Sequence, residues 1–299
     1  MKVTNISRKN FERLERLKLG REITNTEGIM YEFNYKGTEK ILKRLFHKNG
    51  LVFASKLYTI EMLDNNKMYL PDSFCIADSL ISVGGVIEGF SIPKFEGVNL
   101  ASVLKDKSIT PEEKIYYLTK IGELLQQLHN IRKYTPLKEI YLNDLHESNF
   151  MVNMNKKQLG VIDLDSCKIN SNIAFASKYL LPSSIFNKMS TKYKINKDSS
   201  MPGHVIADEN SDLYCYNIMI MNYLYGSNVG DMKPDEFYSY LNYLEMIGVS
   251  SPLITSFSKI VTNCHNENPY KYLEELNNTQ VGRAKEIVYK QYTKNKVFN

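Results

Sequence analysis

The 299-residue chain is 43% apolar and 24% charged, with a formal net charge of +5 and four cysteines. Those proportions exclude a disordered or low-complexity protein, and a mild charge without long one-sign blocks does not require nucleic acid as a partner. Cys75, Cys167, Cys215 and Cys264 form no CxxC pair, so no zinc site is expected and a reducing cytosol is the expected setting.

In chain order, "MKVTNISRKNFERLERLKLG" reads as a charged amphipathic helix without an apolar signal core, and no apolar run reaches membrane-spanning length. "GIMYEFNY" and "EKILKRLF" read as strands separated by Lys36-Gly37-Thr38. "LVFASKLYTIEMLDNN" has apolar residues at helical spacing. "SFCIADSLIS" and "GVIEGFSIPKF" read as strands around Gly84-Gly85. After Pro93 the pattern turns helical. Thr110 and Pro111 open a long helix whose Ile115, Leu118, Ile121, Leu125 and Leu128 share a face. Strands are expected at "NFMVN" and "LGVID", and helices at "SDLYCYNIMIMNYLYG", "PDEFYSYLNYLEMIG", "PLITSFSKIVTNC" and "YKYLEEL". The stretch 166–208, with Ser183 and Ser184, is too long for an ordinary connection, and 278–299 reads as a basic helical tail expected to dock on the helical part.

Two polar stretches carry the candidate chemistry. "YLNDLHESNFMV" places Asp144 five residues before Asn149, and "GVIDLDS" places Asp163 after a short apolar run. Magnesium keeps several waters and needs few protein oxygens, so Asn149 and Asp163 suffice as ligands, with Asp144 left to orient an acceptor hydroxyl. The same residue types also cap ordinary turns. Residue chemistry alone leaves a metal-phosphate site and two polar turns both open.

With their companions in order, these stretches resemble the protein-kinase-like superfamily, in pattern the eukaryotic-type Ser/Thr protein kinases of bacteria. "NDLHESN" is similar to the catalytic loop D-x4-N, and "IDLD" falls where the family has DFG. "KILKRL" resembles the third-strand V-A-I-K segment, with Lys43 as the phosphate lysine and Glu61 where the family has that lysine's ion-pair partner. "GFSIPKFEGVNL" looks like the last strand and hinge, with Ile92 as gatekeeper, and "LLQQLHN" like the end of the long C-lobe helix. "SDLYCYNIMIMNYLYG" is similar to the family's D-x-Y-S-L-G helix, whose aspartate, here Asp212, underpins the catalytic loop.

The likeness implies an α+β, bilobal fold: a small β-rich N-lobe with one main helix (1–92), a hinge (93–97) and a larger, mostly helical C-lobe (98–299). It implies ATP and Mg2+ as cofactors, and Asp144, Lys43, Glu61, Asn149 and Asp163 as catalytic residues, with Asn149 and Asp163 on the metal. Gly28, Met30, Ile41, Lys43, Ile92, Pro93, Phe95 and Met151 would surround the nucleotide. Pro93 keeps its carbonyl and Phe95 its N–H for adenine.

The pattern also departs from the family. Only Gly28 of G-x-G-x-x-G is present, Ile23 and Asn25 taking the other places. Asn143 replaces the arginine before the catalytic aspartate, which argues against switching by loop phosphorylation. Asp165 replaces the glycine of DFG, and "MPG" at 201–203 lacks the glutamate of APE. His146, in "DLH", is shared with aminoglycoside and choline kinase relatives. The resemblance therefore implies an ATP-dependent phosphotransferase, first a Ser/Thr protein kinase acting on a protein substrate. The alternatives are a small-molecule kinase of the aminoglycoside or choline type, acting on a small hydroxyl acceptor, and a non-catalytic pseudokinase. A cytoplasmic setting without nucleic acid or a membrane span is expected.

Overall fold

Local signals account for most elements of the computed structural model, which describes residues 1–14, 28–131, 135, 137–170, 207–261 and 266–286. Strands β2 (Gly28–Tyr35) and β3 (Thr38–Leu45) form a hairpin closed by Lys36 and Gly37. Both turn residues have positive φ, 52° and 80°, as a two-residue primed turn requires. Helix α2 (Gly50–Asn65) follows, then β4 (Ser79–Val83) and β5 (Val86–Pro93) around Gly84 and Gly85.

Two expectations need correction. Residues 2–6 are not helical: they form β1 (Lys2–Ile6), paired in parallel with β4 from Lys2↔Ser79 to Ile6↔Val83. The β-branched Val3, Thr4 and Ile6 suit a strand, and the β4 edge supplies a ladder that no local pattern announces. Ser7 then accepts the Asn10 N–H at 3.2 Å and caps the short helix α1 (Arg8–Phe11). The first half of "SFCIADSLIS" is also not part of the strand. Its backbone is engaged elsewhere, with Val161 N donating to Ser73 O (2.7 Å) and Cys75 N donating to Val161 O (2.9 Å).

The five-stranded sheet runs β1-β4-β5-β3-β2. One face packs Phe11 of α1 against Phe33, Leu42, Ile81 and Val83. On the other, Leu45 and Phe90 pack with Ala77 under Ile60 of α2. The second half holds a two-residue strand β6 (Val98–Asn99) and α3 (Leu100–Lys105), α4 (Pro111–Ile131), α5 (Glu209–Tyr225), α6 (Pro234–Met246), α7 (Ser251–Ser258) and α8 (Tyr270–Leu273). Thr110 caps α4 by accepting the Glu113 N–H at 3.3 Å, and the expected stripe from Ile115 to Leu128 is buried. Tyr216 of α5 donates to Leu118 O of α4 at 2.7 Å.

Residues 278–286 are helical and bury Val281 and Ala284 in the main core, so this part of the tail docks. Among the described residues no helix is long and apolar enough to cross a membrane. The chain is thus an α+β protein. Ile23, Asn25, Ser183, Ser184, "MPG", Cys264 and residues 287–299 lie outside the described residues.

Candidate functional site

Short strands bring the two polar stretches side by side. The chain runs through β7 (Ile140–Tyr141), the loop 142–149, β8 (Phe150–Asn153), β9 (Gln158–Val161), the loop 162–167 and β10 (Lys168–Ile169). β8 pairs with β9 and β7 pairs with β10, both antiparallel. Both loops are therefore held at each end by the same two ladders. The Ile162 N–H donates to Asn149 O at 2.9 Å, and the buried Asn143 amide reaches Ser166 O at 3.4 Å. Asn143 and Asp163 adopt left-handed φ of 58° and 61°, a conformation that Asn and Asp tolerate best after glycine.

Lys43, two residues before the end of β3, reaches across to the second loop. Its ammonium bonds Asp163 Oδ1, and Asp165 at 2.8 and 3.1 Å. Asp165 takes a second cation, Lys56 of α2, at 2.7 Å. Lys43, Lys56 and Asp165 are only 2%, 4% and 4% exposed. Two lysines and two aspartates balance to zero net charge, the condition under which such burial is tolerable. Burial alone would raise the Asp165 carboxyl, but the Lys43 and Lys56 charges and their hydrogen bonds outweigh it and hold it well below the usual carboxylate range. Asp163 goes the other way: burial raises it to about 6, with Lys43 opposing and the Asp165 charge adding.

Glu61 does not join this cluster. It is exposed, whereas the buried face of α2 carries Lys56, Thr59, Ile60 and Leu63. Glu61 follows Ile60 by one residue, a rotation of about 100° toward solvent. The expected lysine–glutamate pair is replaced by the Lys43–Asp165–Lys56 bridge. A lysine in register with the apolar stripe of α2, together with an acidic residue two positions after Asp163, was the available sequence signal.

Asp144 and Asn149 meet in the first loop. The Asn149 amide donates to Asp144 O (2.8 Å) and to Asp144 Oδ2 (3.2 Å). This commits its nitrogen inward, and neither Asn149 Oδ1 nor Asp163 Oδ2 is hydrogen-bonded among the described residues. A neutral and a charged oxygen on adjacent loops fit magnesium, which completes its octahedron with waters and phosphate oxygens. No cluster of three or more His, Cys, Asp or Glu ligands occurs among the described residues. His146 accepts the Ser148 N–H at Nδ1 (3.2 Å), which directs Nε2 toward Asp144 Oδ2 at 3.6 Å.

Asp212 holds the first loop from beneath. Buried at the start of α5, its carboxylate accepts Leu142 N and Asn143 N, both at 2.9 Å, and contacts His129 Nε2 at 3.2 Å. A scan against protein-family models matches none of them, and a search of curated proteins finds no match. The chemistry of the site must therefore be read from its own geometry.

The residues expected around a nucleotide fall at four places in the fold. Met30, Ile41 and Ile92 share the sheet face of Lys43, through the cross-strand pairs Met30↔Lys43 and Ile41↔Ile92, and all three are half-buried. Met151 and Gly160 pair across β8 and β9, on the face opposite the buried Phe150 and Val152. Pro93 ends β5 and is exposed, and the Phe95 ring lies over Gly160. Gly28 sits within the ladder opposite Leu45, where a Cβ would meet Arg44 O at 2.3 Å. Its missing side chain is required by strand pairing, which explains that glycine without a phosphate. Gly160 was not foreseen. A Cβ there would come within 2.5 Å of the Phe95 ring. Gly160→Ala is expected to displace Phe95 and cost about 1–3 kcal/mol of stability by overpacking. Thermal unfolding measures the cost, and an unchanged midpoint would show that the ring moves freely.

Proposed function

We propose that this protein is an ATP-dependent phosphotransferase of bilobal, protein-kinase-like architecture, transferring the γ-phosphoryl group to a hydroxyl. One observation carries the reading. Lys43 from the sheet, Asp163 from one loop and the Asp144–Asn149 pair from the other form one connected constellation, with oxygens left for a cation. Such transfer needs positioned charge more than covalent chemistry. Lys43 would neutralise phosphate oxygens, and Asn149 and Asp163 would hold magnesium, which supplies charge neutralisation at the transferring group. Asp144 would orient the acceptor hydroxyl and take its proton as the new O–P bond forms and the β–γ bridging P–O bond breaks, releasing ADP. Met30, Ile41, Ile92 and Met151 would bracket the base, with the Pro93–Phe95 backbone at its edge.

The acceptor proposed first is a Ser or Thr hydroxyl of a protein, supported by the resemblance of the Asp212 helix to that of protein kinases. A small alcohol acceptor is the second reading, favoured by His146 standing beside Asp144 where protein kinases carry lysine. Incubation with Mg-ATP and a generic protein substrate, read by intact mass, tests the first. A gain of one phosphoryl group that disappears in Asp144→Asn and Asp163→Asn is expected. ATP consumption without any protein gain would favour the small acceptor, and neither would leave a non-catalytic module.

A further inference from the structure

Resting on the phosphotransferase reading, we propose that Lys56 and Asp165 are positioning residues that together replace the helix carboxylate of the usual lysine–glutamate pair. The charge order among β3, α2 and the loop 162–167 is inverted. The helix contributes a cation, the loop contributes the anion, and that anion holds the Lys43 ammonium.

The geometry requires both members. Asp165 binds Lys43 at 2.8 Å through Oδ1 and Lys56 at 2.7 Å through Oδ2, so one carboxylate bridges two ammonium groups from β3 and α2. Glu61, the nearest alternative by sequence order, is exposed. Without Lys56, Asp163 and Asp165 would both compete for Lys43, and the ammonium would be drawn inward. With Lys56 present, Asp165 is already neutralised and Lys43 is shared rather than sequestered. The position of α2 thereby sets how firmly Asp165 holds Lys43. A shift of α2 that separates Lys56 from Asp165 would pull the phosphate-binding cation out of place.

The test is calorimetric titration of Mg-ATP into the full-length protein, with adenosine as a ligand that lacks phosphate. Lys56→Glu places a third carboxylate near Lys43, and Asp165→Asn removes the bridge. Each is expected to weaken Mg-ATP binding about tenfold or more, leaving adenosine affinity unchanged. In the double variant the carboxylate on α2 faces Lys43 directly, and affinity is expected to return to within about threefold of wild type. A double variant no tighter than the weaker single variant, or parallel losses of ATP and adenosine, would overturn the inference. Wild-type protein that binds no Mg-ATP would instead remove the phosphotransferase reading on which it rests. Should Lys56→Glu fail to fold, Lys56→Arg and Lys56→Met give the same test. Arginine keeps the affinity and methionine loses it, and equal affinities would overturn the inference.

Discussion

Asp163→Asn is expected to abolish phosphoryl transfer while making the folded chain more stable at pH 8. The loss follows from removing the charged oxygen proposed for the metal, a change worth on the order of 10^3-fold in rate. The gain follows from the carboxyl's displaced titration. Its folded value of about 6 lies above the ordinary aspartate value of 3.8 that holds in the unfolded chain. Stability from the protonated form is full below the unfolded value and is lost as pH rises through about 6, so at pH 8 the ionised side chain destabilises the fold. Asn never ionises, and Lys43 keeps Asp165 as a partner. Because the Asp163 side chain is 24% exposed, the gain is discounted to about 1–2 kcal/mol, a few degrees in melting temperature. Melting of both proteins without divalent cations at pH 8 and pH 4.5 checks it, with the difference largest at pH 8 and shrinking to about a third of that at pH 4.5. An Asn variant that melts lower at pH 8 would show that the ion pair with Lys43 outweighs burial.

Asp212→Ala is expected to be the most destabilising single substitution at the site. It orphans two buried backbone N–H groups, of Leu142 and Asn143, and removes the carboxylate facing His129 Nε2. Loss of a buried charged acceptor of this kind costs about 3–5 kcal/mol. Denaturant unfolding measures it, and activity should fall with the loop geometry. Asp212→Asn keeps one acceptor oxygen and should cost less. A cost below about 1 kcal/mol for the alanine variant would mean that the loop is held by its flanking ladders alone.

Local chemistry made much of the fold legible. Lys36-Gly37 and Gly84-Gly85 announced hairpins through the positive φ they accept, and Thr110-Pro111 announced α4 through its cap. What stayed hidden was non-local. β1 has only Thr4 buried among its five residues, so it shows no alternation, and its ladder lies more than seventy residues away on β4. The β7–β10 ribbon is two residues long on each side and has no periodicity to read. At the site, Asp144 and Asn149 were named from residue type and spacing and Lys43 from the family resemblance; Lys43 bonds Asp163, and Asn149, paired with Asp144, accepts from Ile162 beside it. Glu61 was misassigned because order along the chain was used where helix phase decides, and Lys56 was the residue in phase. Asp165 read as a missing glycine. Its importance depends on two lysines from different elements, a coincidence that only folding creates.

Titration of ATP with Mg2+, repeated with EDTA, tests most directly whether Lys43, Asn149 and Asp163 form a metal-phosphate site. Binding is expected with Mg2+ and at least about tenfold weaker with EDTA, with the difference lost in Asn149→Ala. No binding under either condition, or the same affinity with and without the metal, would contradict it.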